Sequence, residues 1–392
     1  MVSLLQSLRP VLPDDGTAGA LAGRVWRPEL GGPAVVAIRA DGVFDISSSF
    51  ATIRDLCEAD DPAAALRAAA GTRVGDLDSL VANTPAESRD PSRPWLLAPI
   101  DLQAIKAAGV TFPVSMLERV IEERARGNPD AAIQFRAQVQ ALVGDDFSTL
   151  KPGSAQAAAL KQVLLDQGAW SQYLEVGIGP DAEIFTKAQP MAAVGTGADA
   201  GVHPISTWNN PEPEVVLVVA ASGRIVGASL GNDVNLRDVE GRSALLLSKA
   251  KDNASSTCIG PFIRFFDATF SLDDVRSMVV SLTVAGTDNF RLEGKSSMVR
   301  IARDPADLAG QLLNVHHAYP DGAVLFLGTM FAPVEDRDAP GKGFTHKTDD
   351  IVTIATPLLG RLVNRMRPTD RVERWTFGTA ALMRNLARRG LI

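Results

Sequence analysis

Two cysteines, Cys57 and Cys258, are all that 392 residues contain. Their separation excludes a CxxC metal or redox motif and suits a reducing compartment without disulfides. No apolar run reaches the eighteen or more residues that a transmembrane helix needs. The opening stretch has neither a basic leader nor a long apolar segment before a small-residue cleavage site, so the expected location is the cytoplasm. Positive charge is not in excess either: the formal net charge is −7 and the Lys and Arg are scattered up to the last twenty-odd residues, which argues against nucleic acid as a partner. Histidines number four, and none falls in the well-signalled helix that begins near Ser115. Internal repeats and low-complexity tracts are also lacking.

What is present is ordinary for a globular chain, with 46% apolar and 22% charged residues. At this length a principal domain plus a smaller one is expected. The first ninety or so residues carry short alternating pieces, Val35–Ile38 and Gly42–Ile46, broken by Gly, Pro and Asp, and an Ala-rich helix from Pro62 to Ala70. They predict a small β-rich N-terminal domain over 1–95, joined through the proline-bearing stretch Asp90–Pro99 to a second unit over 96–392. In that unit, Ser115 and Glu118 stand three apart ahead of apolar Val120 and Ile121, which signals a helix closed by Gly127, and further helices are expected at Pro129–Leu142 and Ser154–Leu165. Strand composition returns at Ala182–Phe185, Glu214–Val219, Arg224–Ala228, Met278–Val284, Ala323–Phe326 and Asp350–Ala355. Glu214–Val219 is apolar on both faces, and Ser222-Gly223 turns it into the next strand as a buried hairpin.

Pro211-Glu212-Pro213-Glu214 opens this apolar strand, and Gly231-Asn232-Asp233 follows the hairpin. Residues two apart in a strand share a face, so Glu212 and Glu214 can aim at one point, and Asp233, nineteen positions after Glu214, returns beside them. An ExE pair at a strand start is commonly a pair of solvated edge charges. Here the residues that follow are apolar on both faces, and carboxylates entering such a sheet without a cation face desolvation and repulsion of several kcal/mol. Three hard oxygen ligands with no His or Cys nearby suit Mg²⁺, Mn²⁺ or Ca²⁺ rather than zinc.

With Arg237-Asp238, Lys251 and Ile259-Gly260-Pro261 added, this pattern resembles the fumarylacetoacetate hydrolase superfamily. The likeness continues in Glu183–Ala188, Gly328-Thr329 and Asp350–Val352, and covers about residues 95–365. It implies an α+β, mostly β fold: a mixed β-sheet roll beside the smaller N-terminal domain. Among its branches the chain most resembles the dehydratases of 2-keto-3-deoxy-pentonates, arabinonate or xylonate type. These place a Glu twenty-nine positions before the first metal Glu and a Lys eighteen after the metal Asp, here Glu183 and Lys251. Ala182 departs from the branch, which has proline there.

The resemblance implies a lyase with Mg²⁺, or Mn²⁺, held by Glu212, Glu214 and Asp233, and a small 2-keto acid as substrate. It implies Glu183 as acid/base residue, Lys251 as partner of the substrate carboxylate or enolate, and Thr329 as a substrate contact. Each has a plainer reading: a structural carboxylate, a surface lysine, a turn. Arg237 and Arg242 could bind carboxylate, but Arg237 is expected to pair with Asp238 or Glu240. The basic tail Arg371–Arg389 reads as a solvated helix face. The family also implies a homodimer or higher homo-oligomer. The alternative reaction is hydrolysis of a C–C bond in an acylpyruvate, which in hydrolytic members relies on a His-Glu pair.

Overall fold

A computed structural model describes residues 3–126, 128, 131–132, 150–166, 170–331, 333, 335–339 and 343–392. Seven strands precede the metal motif: β1 (Leu21–Arg27), β2 (Gly32–Arg39), β3 (Gly42–Asp45), β4 (Thr72–Gly75), β5 (Trp95–Leu97), β6 (Ala104–Gly109) and β7 (Glu183–Ala188). Around the motif lie β8 (Asp199–Val202), β9 (Asn209–Asn210), β10 (Pro213–Val219), β11 (Ile225–Asp233), β12 (Asn235–Leu236) and β13 (Thr257–Phe265). The remainder are β14 (Val279–Ala285), β15 (Arg291–Ser297), β16 (Ala323–Phe326), β17 (Ile351–Thr356) and β18 (Gly360–Pro368).

A main sheet runs β4-β3-β2-β1-β13-β11-β10-β16-β6-β7, with β5 also on β1; a second runs β15-β14-β17-β18-β8. The mixed, strand-rich α+β architecture agrees with the sequence expectation. The main sheet crosses residue 95 without interruption, because β1 pairs with β13 through Leu21 opposite Arg264 and Ala22 opposite Ile263. Strands from the first ninety-five residues therefore extend the sheet that carries the metal motif.

The β10–β11 hairpin forms as expected, with Glu214 opposite Gly231 and Val218 opposite Gly227. Val215 to Val219 are fully buried. Val215, Leu217 and Val219 pack toward the second sheet with Leu282, Ile354 and Leu362, while Val216 and Val218 pack with Ile263, Phe326 and Ile53. Each such side chain contributes about 1.5–3 kcal/mol of burial. This two-sided core explains why the strand lacks alternation, and it fixes the height at which the preceding Glu212 and Glu214 emerge.

Pro113–Ala125 is a helix with Pro at its start, closed by Arg126 in a left-handed conformation; Gly127 lies outside the described residues. Most of the helix expected at Pro129–Leu142 lies outside them too, whereas that at Ser154–Leu165 is present as Ala155–Asp166. The basic tail includes the helix Thr379–Arg388, which is not purely solvated: Leu382, Asn385 and Leu386 are buried, and Asn385 donates to the carbonyls of Leu30 and Gly31. Among the described residues no helix is long and apolar enough to cross a membrane.

Candidate metal and active site

Glu212 and Glu214 project from the start of β10 and Asp233 from the end of β11, where antiparallel pairing brings the two strand ends together. All three are buried, and one carboxylate oxygen from each lies within 4.8 Å of the others. The three predicted ligands therefore meet. The two strand ends are braced against each other: Glu212 N–H donates to Asn232 Oδ1 at 3.1 Å and Asp233 N–H to the Glu212 carbonyl at 3.1 Å.

The surrounding charges are unequal. Glu212 Oε2 is 2.6 Å from Lys251 Nζ and its Oε1 is 2.6 Å from Arg119; these cations outweigh burial and hold its carboxyl below the ordinary range. Asp233 is 3.1 Å from Lys251 and 3.2 Å from Lys187. Glu214 accepts the Gly328 N–H at 2.6 Å and has no cation partner among the described residues. Burial, with Asp233 and Glu212 nearby, pushes its carboxyl well above the ordinary range. A divalent cation at the triad would relieve that repulsion, so the donor set, all hard oxygen, fits Mg²⁺.

Further out the imbalance persists. Arg119 also meets Glu122 and Glu240 at 2.5 and 3.0 Å, and Arg237 meets Glu122 and Glu118 at 2.6 and 3.1 Å. Glu118, Glu122, Glu183, Glu212, Glu214, Asp233 and Glu240 thus share this region with four cations, Arg119, Lys187, Arg237 and Lys251. The surplus is negative, as a cation site requires.

Glu183 starts β7 and lines the same pocket as the triad, Lys251 and Thr329. It sits against Gly109, where a Cβ would collide with its carboxylate. Burial first, then Glu240, pushes its pKa up to about 7, a value at which a carboxyl both takes and gives protons. Lys251 is a buried ammonium held between Glu212 and Asp233, not a surface lysine; against the cost of burial, Asp233 and Glu212 raise its pKa and keep it protonated. A protonated amine is no nucleophile, which disfavours Schiff-base chemistry. Thr329 is buried on the pocket wall, with its Oγ1 accepting from Phe331 N–H at 3.0 Å.

Two expectations change. Arg237 pairs with neither Asp238 nor Glu240: it crosses to Glu118 and Glu122 on the helix Pro113–Ala125 and lies over Trp208 at 4.3 Å, while Asp238 accepts from Ser206 and Thr207. Arg242 does not line the triad pocket. Ala182, where the resemblance would place proline, donates its N–H to Gln311 at 2.7 Å, a bond proline cannot make. Arg119 and Lys187, the two other cations on the triad, were not singled out in the sequence. For Lys187 a signal exists: it follows Glu183 by four positions on a strand, hence on the same face.

No histidine lines the pocket among the described residues. His346 is buried elsewhere, 3.3 Å from Asp350, and His203 contacts Lys249.

No protein-family model matches the chain. It is 30% identical over 190 residues to the 2-dehydro-3-deoxy-D-arabinonate dehydratase of Saccharolobus solfataricus, a match spanning 48% of this chain and 60% of that protein. Among solved structures, it resembles 2-keto-3-deoxy-D-arabinonate dehydratase complexed with magnesium and 2,5-dioxopentanoate, with a TM-score of 0.61 and 22% identity over 89% of this chain and 99% of the other. It also resembles a fumarylacetoacetate hydrolase from Exiguobacterium antarcticum, with a TM-score of 0.52 and 14% identity over the same shares. The architecture is thus the fumarylacetoacetate hydrolase fold.

Proposed function

We propose that the protein is a lyase that dehydrates a 2-keto-3-deoxy-D-pentonate, of arabinonate or xylonate configuration, to 2-oxoglutarate semialdehyde in pentose catabolism. The observation that carries the reading is a buried carboxyl poised near neutrality, Glu183, facing an all-carboxylate triad in one pocket. The dehydratase named among the relatives supports the reaction class.

Glu212, Glu214 and Asp233 would hold Mg²⁺, with Mn²⁺ a possible substitute. Bound there, the ion supplies Lewis acidity toward a chelating keto oxygen and carboxylate. Glu183 begins as a carboxylate, accepts a proton from C3, and returns it to the C4 hydroxyl, which leaves as water. The unsaturated keto acid so formed moves hydrogen from C5 back into the chain and becomes the semialdehyde. Lys251 faces the substrate carboxylate or enolate oxygen as an ammonium, and Thr329, which lines the same pocket, positions the substrate. Residues 96–392 carry this machinery, residues 1–95 extend its sheet, and the working form is a cytoplasmic homodimer or higher homo-oligomer, to be checked by light scattering.

The rival reading is hydrolysis of an acylpyruvate, with the same metal. It is less well supported, because no described histidine reaches the pocket to activate water. Incubation with Mg²⁺ and 2-keto-3-deoxy-D-arabinonate or the xylonate, coupled to a semialdehyde dehydrogenase, tests the choice. Metal-dependent product that is lost in Glu214→Gln supports the lyase; pyruvate released from acylpyruvates instead would replace it with the hydrolase.

A further inference from the structure

Asn210, Glu212 and Glu214 stand at successive alternate positions, and all three line the pocket. Side chains two apart along an extended chain share a face, so Asn210 is the next group beyond the metal ligands in the same row. Its neighbour Asn209 serves the other side, accepting the His346 N–H at 3.1 Å.

Asn210 is 2% exposed, and its Nδ2 donates to the Pro211 carbonyl at 3.0 Å. Only the nitrogen of the amide can make that bond, which fixes the orientation and leaves Oδ1 as the second polar atom. Oδ1 is buried and has no hydrogen-bond partner among the described residues. Two other lining carboxylate oxygens lack hydrogen-bond geometry, Asp233 Oδ1 and Glu240 Oε2, but each has a cation, Lys187 at 3.2 Å and Arg119 at 3.0 Å. A buried neutral acceptor with no donor costs about 1–3 kcal/mol, so its natural complement is a donor brought by the ligand. The pocket's cations point the same way: among the described lining residues Arg119, Arg237 and Lys251 are each paired with carboxylates. None is spare to receive a second carboxylate at the far end of a substrate.

We propose that Asn210 is a specificity-determining residue: its Oδ1 accepts the terminal hydroxyl of the substrate and selects 2-keto acids whose distal end is neutral and hydroxylated. This rests on the 2-keto acid reading above and narrows it. The hydroxyl in question is on C5, the carbon that becomes the aldehyde, so the same contact would hold that carbon in register during tautomerisation.

The test is binding to the Mg²⁺-loaded protein by calorimetry, with two ligands that have no C4 hydroxyl to lose: 5-hydroxy-2-oxopentanoate and 2-oxopentanoate. Wild type should bind the hydroxylated ligand about tenfold more tightly, the range of one buried hydrogen bond. Asn210→Ala and Asn210→Ser should lose that preference while binding 2-oxopentanoate as wild type does. Equal weakening of both ligands in the folded variants would mean that Asn210 only shapes the pocket, and equal binding of both by wild type would mean that nothing reads the hydroxyl; either overturns the assignment. If wild type binds neither ligand with Mg²⁺, the premise that the site takes 2-keto acids falls, and the assignment with it.

Discussion

Two ion networks with buried carboxylates, one around Asp350 and one around Glu214, are built on opposite terms. In one, Arg337 is locked between Asp288 and Asp350, at 3.1 and 2.6 Å, and Asp350 also accepts the Lys347 N–H at 2.9 Å and contacts His346. Each of these carboxylates has a cation, and the carboxyls of Asp288 and Asp350 are held below their ordinary range. In the other, around Glu212, Glu214 and Asp233, carboxylates outnumber cations, and Glu183, Glu214 and Glu240 are pushed up. A balanced network holds a loop in place; an unbalanced one holds free energy that a cation or a substrate can release. Burial alone does not distinguish a site from a staple, whereas the charge left over does.

The contrast breaks most visibly in catalysis. Glu183→Gln should lower kcat on the order of 10²–10⁴-fold with Mg²⁺ affinity unchanged. The wild-type kcat/KM should rise with pH as Glu183 ionises, because the carboxylate is the starting form, with bound Mg²⁺ drawing that ionisation below the metal-free value of about 7, and the variant should lose that limb. A limb persisting in Glu183→Gln would assign it to another group.

Stability should respond in the reverse sense. Asp350→Asn, which leaves the Arg337 guanidinium with Asp288 alone, should cost about 1.5–3 kcal/mol by urea unfolding, while Glu214→Gln, assayed without metal, should be neutral or stabilising. Equal losses at both would erase the distinction.

Metal separates the two next. Saturating Mg²⁺ at a hundred times its Kd should stabilise wild type by about 2.7 kcal/mol and Asp350→Asn by the same increment, but Glu214→Gln hardly at all. A full shift in Glu214→Gln would place the ion elsewhere.

The pH dependence of stability should carry opposite signs. Glu183 has a raised folded pKa, so its contribution falls as pH climbs from the ordinary 4.5 to about 7; Glu183→Gln should gain on wild type across that window. Asp350 has a depressed one, so its contribution is complete above the ordinary 3.8 and is lost on further acidification; the Asp350→Asn penalty should shrink there. Parallel slopes in the two variants would contradict the assignment. Smallest of all, Ala182→Pro should cost about 1 kcal/mol through the bond to Gln311, measurable as a modest drop in midpoint.

The metal triad was legible because it is local: an alternate-position pair, a hairpin of known length and one more acid. Strands β2, β3, β10, β11, β16 and β17 were legible from their composition. β13 was not, since Pro261 inside a central strand argues against one. It is tolerated because pairing with β11 slips between Ala228 and Leu230, whose partners are Arg264 and Gly260, so Pro261 falls where the ladder is already broken. The pairings of Arg119 and Arg237 with these acids were hidden for a different reason. Their partners lie 93 and 115 positions away, and no periodicity reports a contact at that distance. Asn210 stood in plain view two positions before Glu212, but polar residues ahead of a strand are ordinary, and only its unserved acceptor sets it apart.

Gly328 donates its amide to Glu214 with φ +86°, and any Cβ there would run into Thr111 Oγ1. Torsion, space and ligand geometry all forbid a side chain at this one position. A descendant of this chain could exchange Thr329 for serine or resize the wall at Asn210 by single steps, and so change what the pocket admits. At Gly328 no single step leads anywhere, which makes it a hinge of evolutionary constraint: the chemistry can be retuned around it but not through it.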